Sequence, residues 1–150
     1  MISVFDMFKV GVGPSSSHTV GPMKAGKQFI DDLIEQGKFD AVATLHVDVY
    51  GSLSMTGHGH NTDIAFIMGL AGYLPHDVIE QVKQTKKLSI AQGKKNVNFD
   101  WDANMVFHNS FLSLHENGMT ITALDADRNV LYRQTYYSIG GGFIVDEAHF

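Results

Sequence analysis

The chain of 150 residues contains no cysteine. Disulfides are therefore excluded, and so is any thiolate metal or cluster site built from this chain alone. Proline occurs three times, at Pro14, Pro22 and Pro75. Positive charge never gathers into a stripe: 11 Lys and Arg face 16 Asp and Glu, a formal charge of -5. Nucleic acid is not an expected partner of such a surface. No apolar run approaches the roughly 18 residues of a membrane helix, so no membrane partner is expected. The opening Met1-Ile2-Ser3-Val4-Phe5-Asp6 lacks the basic and apolar regions of a signal peptide, which makes the cytoplasm the expected location. Internal repeats, low-complexity tracts and linkers are also missing, so residues 1–150 are expected to form a single domain.

What is present begins with a sufficient core. The apolar fraction is 44%, too high for a disordered segment. Ser3 to Val10 reads as a short helix or a docked terminal segment. A helix is expected to start near Ser17 or Thr19, either of which can cap it, with Pro22 near its first turn. Val20, Met23, Ile30, Leu33 and Ile34 form its stripe and Gly37 its stop. Leu45, Val47 and Val49 alternate with Thr44, His46 and Asp48, giving a half-buried strand over 42–50. The Gly-rich segment 51–61 cannot be helical throughout. Thr62 or Asp63 caps the next helix, Ile64 to Ala71, whose all-round apolar surface predicts burial. A more exposed helix spans His76 to Lys87. Strands follow over 88–92, 96–101, 105–108, 119–126 and 130–138, with Phe143-Ile144-Val145 as a further short one. Asp125 to Asn129 predicts a hairpin turn, and Gly140-Gly141-Gly142 a tight bend. This order predicts an α+β fold with helices packed on a mostly antiparallel sheet.

Chemically active residues gather in four short segments. Gly13-Pro14-Ser15-Ser16-Ser17-His18-Thr19 places hydroxyls and an imidazole at a helix start. Unpaired N–H groups and a partial positive charge there suit a carboxylate or phosphate, and His18 can exchange a proton near neutral pH. A multiply hydroxylated N-cap is the plainer alternative. Gly57-His58-Gly59-His60-Asn61-Thr62-Asp63 offers His60 as a general acid or base. His58, His60 and Asp63 are metal ligands in type, but their spacing matches no zinc signature, so no metal site is expected on this chain alone. His115-Glu116-Asn117-Gly118-Met119 could orient a substrate or serve a turn. Ser138 with Gly140-Gly141-Gly142 could bring backbone amides to a ligand or form a plain bend. His46, His76, His108 and His149 read as structural or solvated. Ser17 and His18 as a hydrolase pair lack the strand–nucleophile–helix elbow.

These segments, with Tyr50-Gly51-Ser52-Leu53 and Tyr136-Tyr137-Ser138-Ile139-Gly140-Gly141-Gly142-Phe143, closely resemble the N-terminal (beta) domain of iron–sulfur L-serine dehydratase. The resemblance spans nearly the whole chain and is weakest from about Tyr73 to Asn104. It implies a lyase that converts L-serine to pyruvate and ammonia. It also implies a fold similar to the serine-related regulatory domain of D-3-phosphoglycerate dehydrogenase. A [4Fe–4S] cluster acting as Lewis acid is implied for the complete enzyme, ligated by a C-terminal domain that this chain lacks. L-serine, that cluster-bearing domain or subunit, and a second copy in a homodimer are the implied partners. His18 and His60 become candidates for base and proton shuttle, in either assignment. Ser15, Ser16, Ser17, Thr19, Thr62, Asp63, His115, Asn117, Ser138 and Gly140 become candidates for holding substrate or the histidines. A module that binds L-serine or dimerises, with no catalytic role, is the alternative.

Overall fold

The alternation of Leu45, Val47 and Val49 with His46 and Asp48 produces strand β2 (Thr44–Val49), whose odd-numbered side chains are fully buried. The computed structural model describes residues 2–3, 16–56, 62–74, 78–140 and 142–150. Among them β2 pairs antiparallel with β7 (Gly118–Leu124), and β7 with β8 (Val130–Gly140), and β8 with β9 (Phe143–Asp146). The other edge of β2 is divided. Thr44 pairs parallel with Asn98 of β5 (Lys95–Asn98), and Val47 to Val49 pair parallel with β6 (Met105–Phe107). Strand β4 (Lys87–Ile90) pairs with β5 and closes that edge. The result is a seven-stranded, mostly antiparallel sheet. A separate pair joins β1 (Ile2–Ser3) to β3 (Tyr73–Leu74).

The longer helices pack on the face that carries Leu45, Val47 and Val49. Helix α1 (Gly21–Glu35) buries Met23, Ala25, Gly26, Phe29, Ile30 and Leu33. Phe29 is in the stripe and stacks on Tyr132 at 5.0 Å. Ile34, expected inside, is 46% exposed. The helix stops as its sequence demands: Gly37 takes φ 70°, its N–H reaches Ile34 O, and Lys38 N–H reaches Leu33 O, the two bonds of a Schellman ending. Its start differs from expectation. A π-helical turn, Ser16–Val20, leads into it, and the N-cap is Val20 with no side-chain capping bond. A Ser17 or Thr19 cap is thus not what starts the helix; the turn's own main chain continues into it, and Pro22 sits in the first turn.

Helix α2 (Gly51–Thr56) is short, and helix α3 (Thr62–Ala71) is buried along Ala65 to Ala71, as its all-apolar sequence requires. Glycines let α1 and α3 touch. A Cβ on Gly69 would lie 2.1 Å from Met23 O, and one on Gly26 would lie 2.9 Å from Phe66 O. Helix α4 (Val78–Thr85) buries Val82. Each large side chain in this core, such as Phe29, Phe66 or Leu45, contributes about 1.5–3 kcal/mol of burial.

The expected strand 96–101 ends early. Asp100 caps a single helical turn, α5 (Trp101–Asn104), by accepting from the N–H groups of Asp102 and Ala103. That turn interrupts what would otherwise be one strand running from β5 into β6. Among the described residues, no helix is long and apolar enough to cross a membrane.

Candidate functional site

The expected site segments meet at one end of the sheet. The π-helical turn at 16–20 touches the end of β8, the start of β9, and helices α2 and α3. Thr62, at the start of α3, is fully buried, and its hydroxyl donates to the His18 carbonyl at 2.7 Å. Thr62 thus ties the two histidine-bearing segments together. Thr19 is also buried. His18 is half-buried. Asp63 accepts from the N–H of Ile64 at 2.9 Å and lines an open groove with Lys83, Trp101 and Phe107. Its carboxylate is therefore shared between the helix start and a neighbouring surface.

The second half of the site comes from β7, β8 and the segment before them. Tyr50 N–H donates to Gly118 O, Gly51 N–H to Ser110 O, and Ser52 N–H to Glu116 O. The last two bonds lay the 109–117 loop against the β2–α2 junction, and the first joins that junction to the start of β7. Gly51 must be glycine there: its φ is 62°, and a Cβ would sit 2.1 Å from Glu116 O. The loop ends on Asn117, whose N–H donates to His115 Nδ1 at 3.0 Å. That bond makes Nδ1 the acceptor, so a neutral His115 carries its proton on Nε2. The Asn117 amide donates to Ser138 O at 3.2 Å, and Ser138 N–H donates back to Asn117 O. Asn117 and Ser138 are both buried, yet Asn117 Oδ1 and Ser138 Oγ find no hydrogen-bond partner. An orphaned buried polar atom costs about 1–3 kcal/mol. Gly140 turns the chain with φ 98°, and a Cβ on Gly142 would lie 3.2 Å from Val20 Cγ1, which brings the β8–β9 bend against the π turn.

Ser15 and His60 lie outside the described residues, and Ser16 and Ser17 are described through their backbone alone. Thr62, Thr19, His18, Asn117, Ser138, His115 and Gly140 are therefore the expected residues that the fold gathers at this end. Burial affects the phenols beside them. It raises the Tyr137 hydroxyl above its usual range, with the Glu147 carboxylate adding to the effect. Tyr136, facing the helices, is pushed up strongly by burial.

One constellation escaped the sequence reading. His46 and His108, read there as structural or solvated, both direct Nε2 at Asp48 Oδ1, at 3.2 and 2.7 Å. Burial, the largest single influence on Asp48, pushes its carboxyl up. The hydrogen bonds and charges of the two imidazoles together outweigh it and hold the group below 3.8. His46 and Asp48 share the open face of β2, a placement the strand alternation implies. His108 arrives from 60 residues away, which no local pattern reveals.

Residues 3–149 match the profile of a family described as serine dehydratase beta chain. The whole chain is 72% identical over 158 residues to an L-serine dehydratase of Haemophilus influenzae, of which it covers 35%. It is 62% identical to L-serine dehydratase 1 of Escherichia coli, again covering 35%. Against an L-serine dehydratase of Streptomyces coelicolor the identity is 45%, over 97% of this chain and 34% of the relative. The chain thus spans about a third of the length of the curated relatives it matches.

Proposed function

Because this chain belongs to the serine dehydratase beta-chain family, we propose that it forms one wall of the active site of an L-serine dehydratase. The carrying observation is that the His18 turn, tied to Thr62, packs against β8 and β9, and that β8 in turn holds Asn117 through Ser138. Covalent reach supports His60 joining them: two residues span about 7 Å at most, and Thr62 is already bonded to the His18 carbonyl.

In this reading L-serine loses its α-proton and its β-hydroxyl, and the resulting enamine hydrolyses to pyruvate and ammonia. One of His18 and His60 takes the α-proton and the other relays it; an imidazole titrates in the range such a step needs. Hydroxyls of Ser15, Ser16 and Ser17, with the N–H groups leading into α1, hold the substrate carboxylate. His115, Asn117, Ser138 and Gly140 line the opposite side. Thr19, Thr62 and Asp63 hold the histidine-bearing segments in place.

A [4Fe–4S] cluster would supply Lewis-acid chemistry at the leaving hydroxyl. The residues present do not fit its ligation: the chain has no cysteine, and the described residues hold no cluster of three or more His, Cys, Asp or Glu able to bind a metal. Its ligands are assigned to a partner domain. Exposed apolar groups support such a partner. Met55, Phe111, Leu114, Ile139 and Phe143 are each 43–66% exposed and lie on the segments that frame the site. A cytoplasmic homodimer belongs to the same reading.

The test is His60→Ala in the complete enzyme. Turnover of L-serine to pyruvate falls by about 100-fold or more, the scale of a lost general base, while the cluster absorbance persists. Turnover near the parent rate would remove His60 from the chemistry.

A further inference from the structure

Strand β2 carries His46 and Asp48 on the face opposite its buried Leu45, Val47 and Val49. Asp48 lies there, its side chain 16% exposed, and accepts from both imidazoles on a single oxygen. The tautomers follow from the neighbours. Asn104 takes the Asp100 N–H on its Oδ1 at 2.8 Å, which turns its amide NH2 towards His46 Nδ1 at 3.3 Å. His46 Nδ1 is then an acceptor, and its Nε2 carries the proton given to Asp48. A carboxylate oxygen only accepts, so His108 Nε2 donates as well. With both Nε2 atoms committed to N–H bonds, the group is a hydrogen-bonded anchor rather than a set of metal ligands.

His108 is held in three ways. Its backbone N–H donates to Val49 O at 2.8 Å. Its ring nitrogen bonds Asp48 at 2.7 Å. Its ring stacks on Tyr50, centroids 4.5 Å apart and planes 8° from parallel. Directly after this residue the chain leaves the sheet and forms the irregular segment 109–117 that ends on His115 and Asn117. The backbone after Tyr50 holds both ends of that segment: Gly51 N–H donates to Ser110 O at the near end and Ser52 N–H to Glu116 O at the far end. The His108 side chain adds a second hold at the near end, where the segment leaves the sheet. A simple hydrophobic peg would fix depth and leave rotation free; a stack combined with an in-plane ionic hydrogen bond fixes both.

We propose that Asp48 and His108 are positioning residues: their pair, stacked on Tyr50, sets the loop that delivers His115 and Asn117 to the site. The proposal deepens the dehydratase reading and rests on it for the meaning of that delivery. His46, bonded more loosely at 3.2 Å, assists by orienting the carboxylate.

The experiment uses the complete, cluster-loaded enzyme with His108→Phe and Asp48→Asn. Phenylalanine keeps the stack and removes the donor; asparagine keeps the size and one acceptor. Two quantities are read: hydrogen exchange of backbone amides in 109–117, and the split between KM and kcat for L-serine. His108→Phe is expected to speed exchange in 109–117 at least tenfold while α1 and β7 exchange as before. It is also expected to raise KM more than it lowers kcat. Asp48→Asn should lie between parent and His108→Phe in both readouts. Unchanged exchange in the loop overturns the proposal, as does a loss of protection spread evenly over the sheet. The exchange readout does not depend on turnover. An enzyme that never makes pyruvate would sink the dehydratase reading, and the loop result would still decide this one.

Discussion

A single carboxylate oxygen receiving two imidazole donors leads to a defined pH response. Asp48 is held below its ordinary value of 3.8 in the folded chain. A depressed carboxyl stabilises the folded state above the unfolded value, and that contribution disappears as pH falls through the folded value. The window therefore lies at and below about pH 4. The stability gap between parent and Asp48→Asn should be widest above pH 4 and should narrow on acidification, followed by thermal melts at a series of pH values. A gap that widens towards low pH would contradict the assignment. At this scale the sequence revealed types better than partners. His18, Thr62, Asn117 and Ser138 stood out because polar residues clustered around them. Asp48 did not, because its partner His108 lies 60 positions along the chain and meets it only through the parallel pairing of β6 with β2.

Elements were legible where periodicity was strong. The alternation along β2 and the uniform apolarity of α3 reflect burial on one face and on all sides respectively, and both elements formed where expected. The hairpin between β7 and β8 followed from Asp125, whose carboxylate accepts from the N–H groups of Asp127 and Asn129. Helix α2 was not specified, because Gly51-Ser52-Leu53-Ser54 has weak helix propensity and owes its start to backbone bonds from Ser110 and Glu116. Turn α5 was missed for a related reason: only the Asp100 cap distinguishes it from a continuing strand. The contact between α1 and α3 was invisible too, since a glycine in a helix does not announce what it faces. Gly69→Ala is predicted to destabilise by about 3 kcal/mol, because the new Cβ meets Met23 O at 2.1 Å and backbone cannot rotate away. Gly37→Ala, with φ 70° but nothing within 4 Å, should cost only about 1 kcal/mol. Melting temperatures of the two variants compare them directly; equal shifts would mean that the helices separate without resistance.

The whole molecule is asymmetric along its strands. One end, at Gly118 and Ser138, gathers the site segments and the exposed Phe111 and Phe143; the other, at the Asp125–Asn129 turn, carries Val130 at 60% exposed. Eight residue steps along β8 separate Val130 from Ser138, about 25 Å. Exposed apolar groups at both ends would be unremarkable singly, so their number alone says little. What distinguishes the site end is that the apolar groups surround buried polar atoms without partners, and an active site works best when water is excluded. A partner domain seated on this end would cover the exposed apolar groups and close the site against water. When this chain and the separately produced partner domain are mixed without oxygen, Phe111→Ser and Phe143→Ser should each weaken association about tenfold, equivalent to ~1.4 kcal/mol. Val130→Ser should leave it unchanged. Calorimetric titration gives all three values. Equal losses at both ends would indicate nonspecific hydrophobic adhesion. No loss at the site end would move the partner to another face, and the open side of the sheet around Asp48 would then be the next surface to probe.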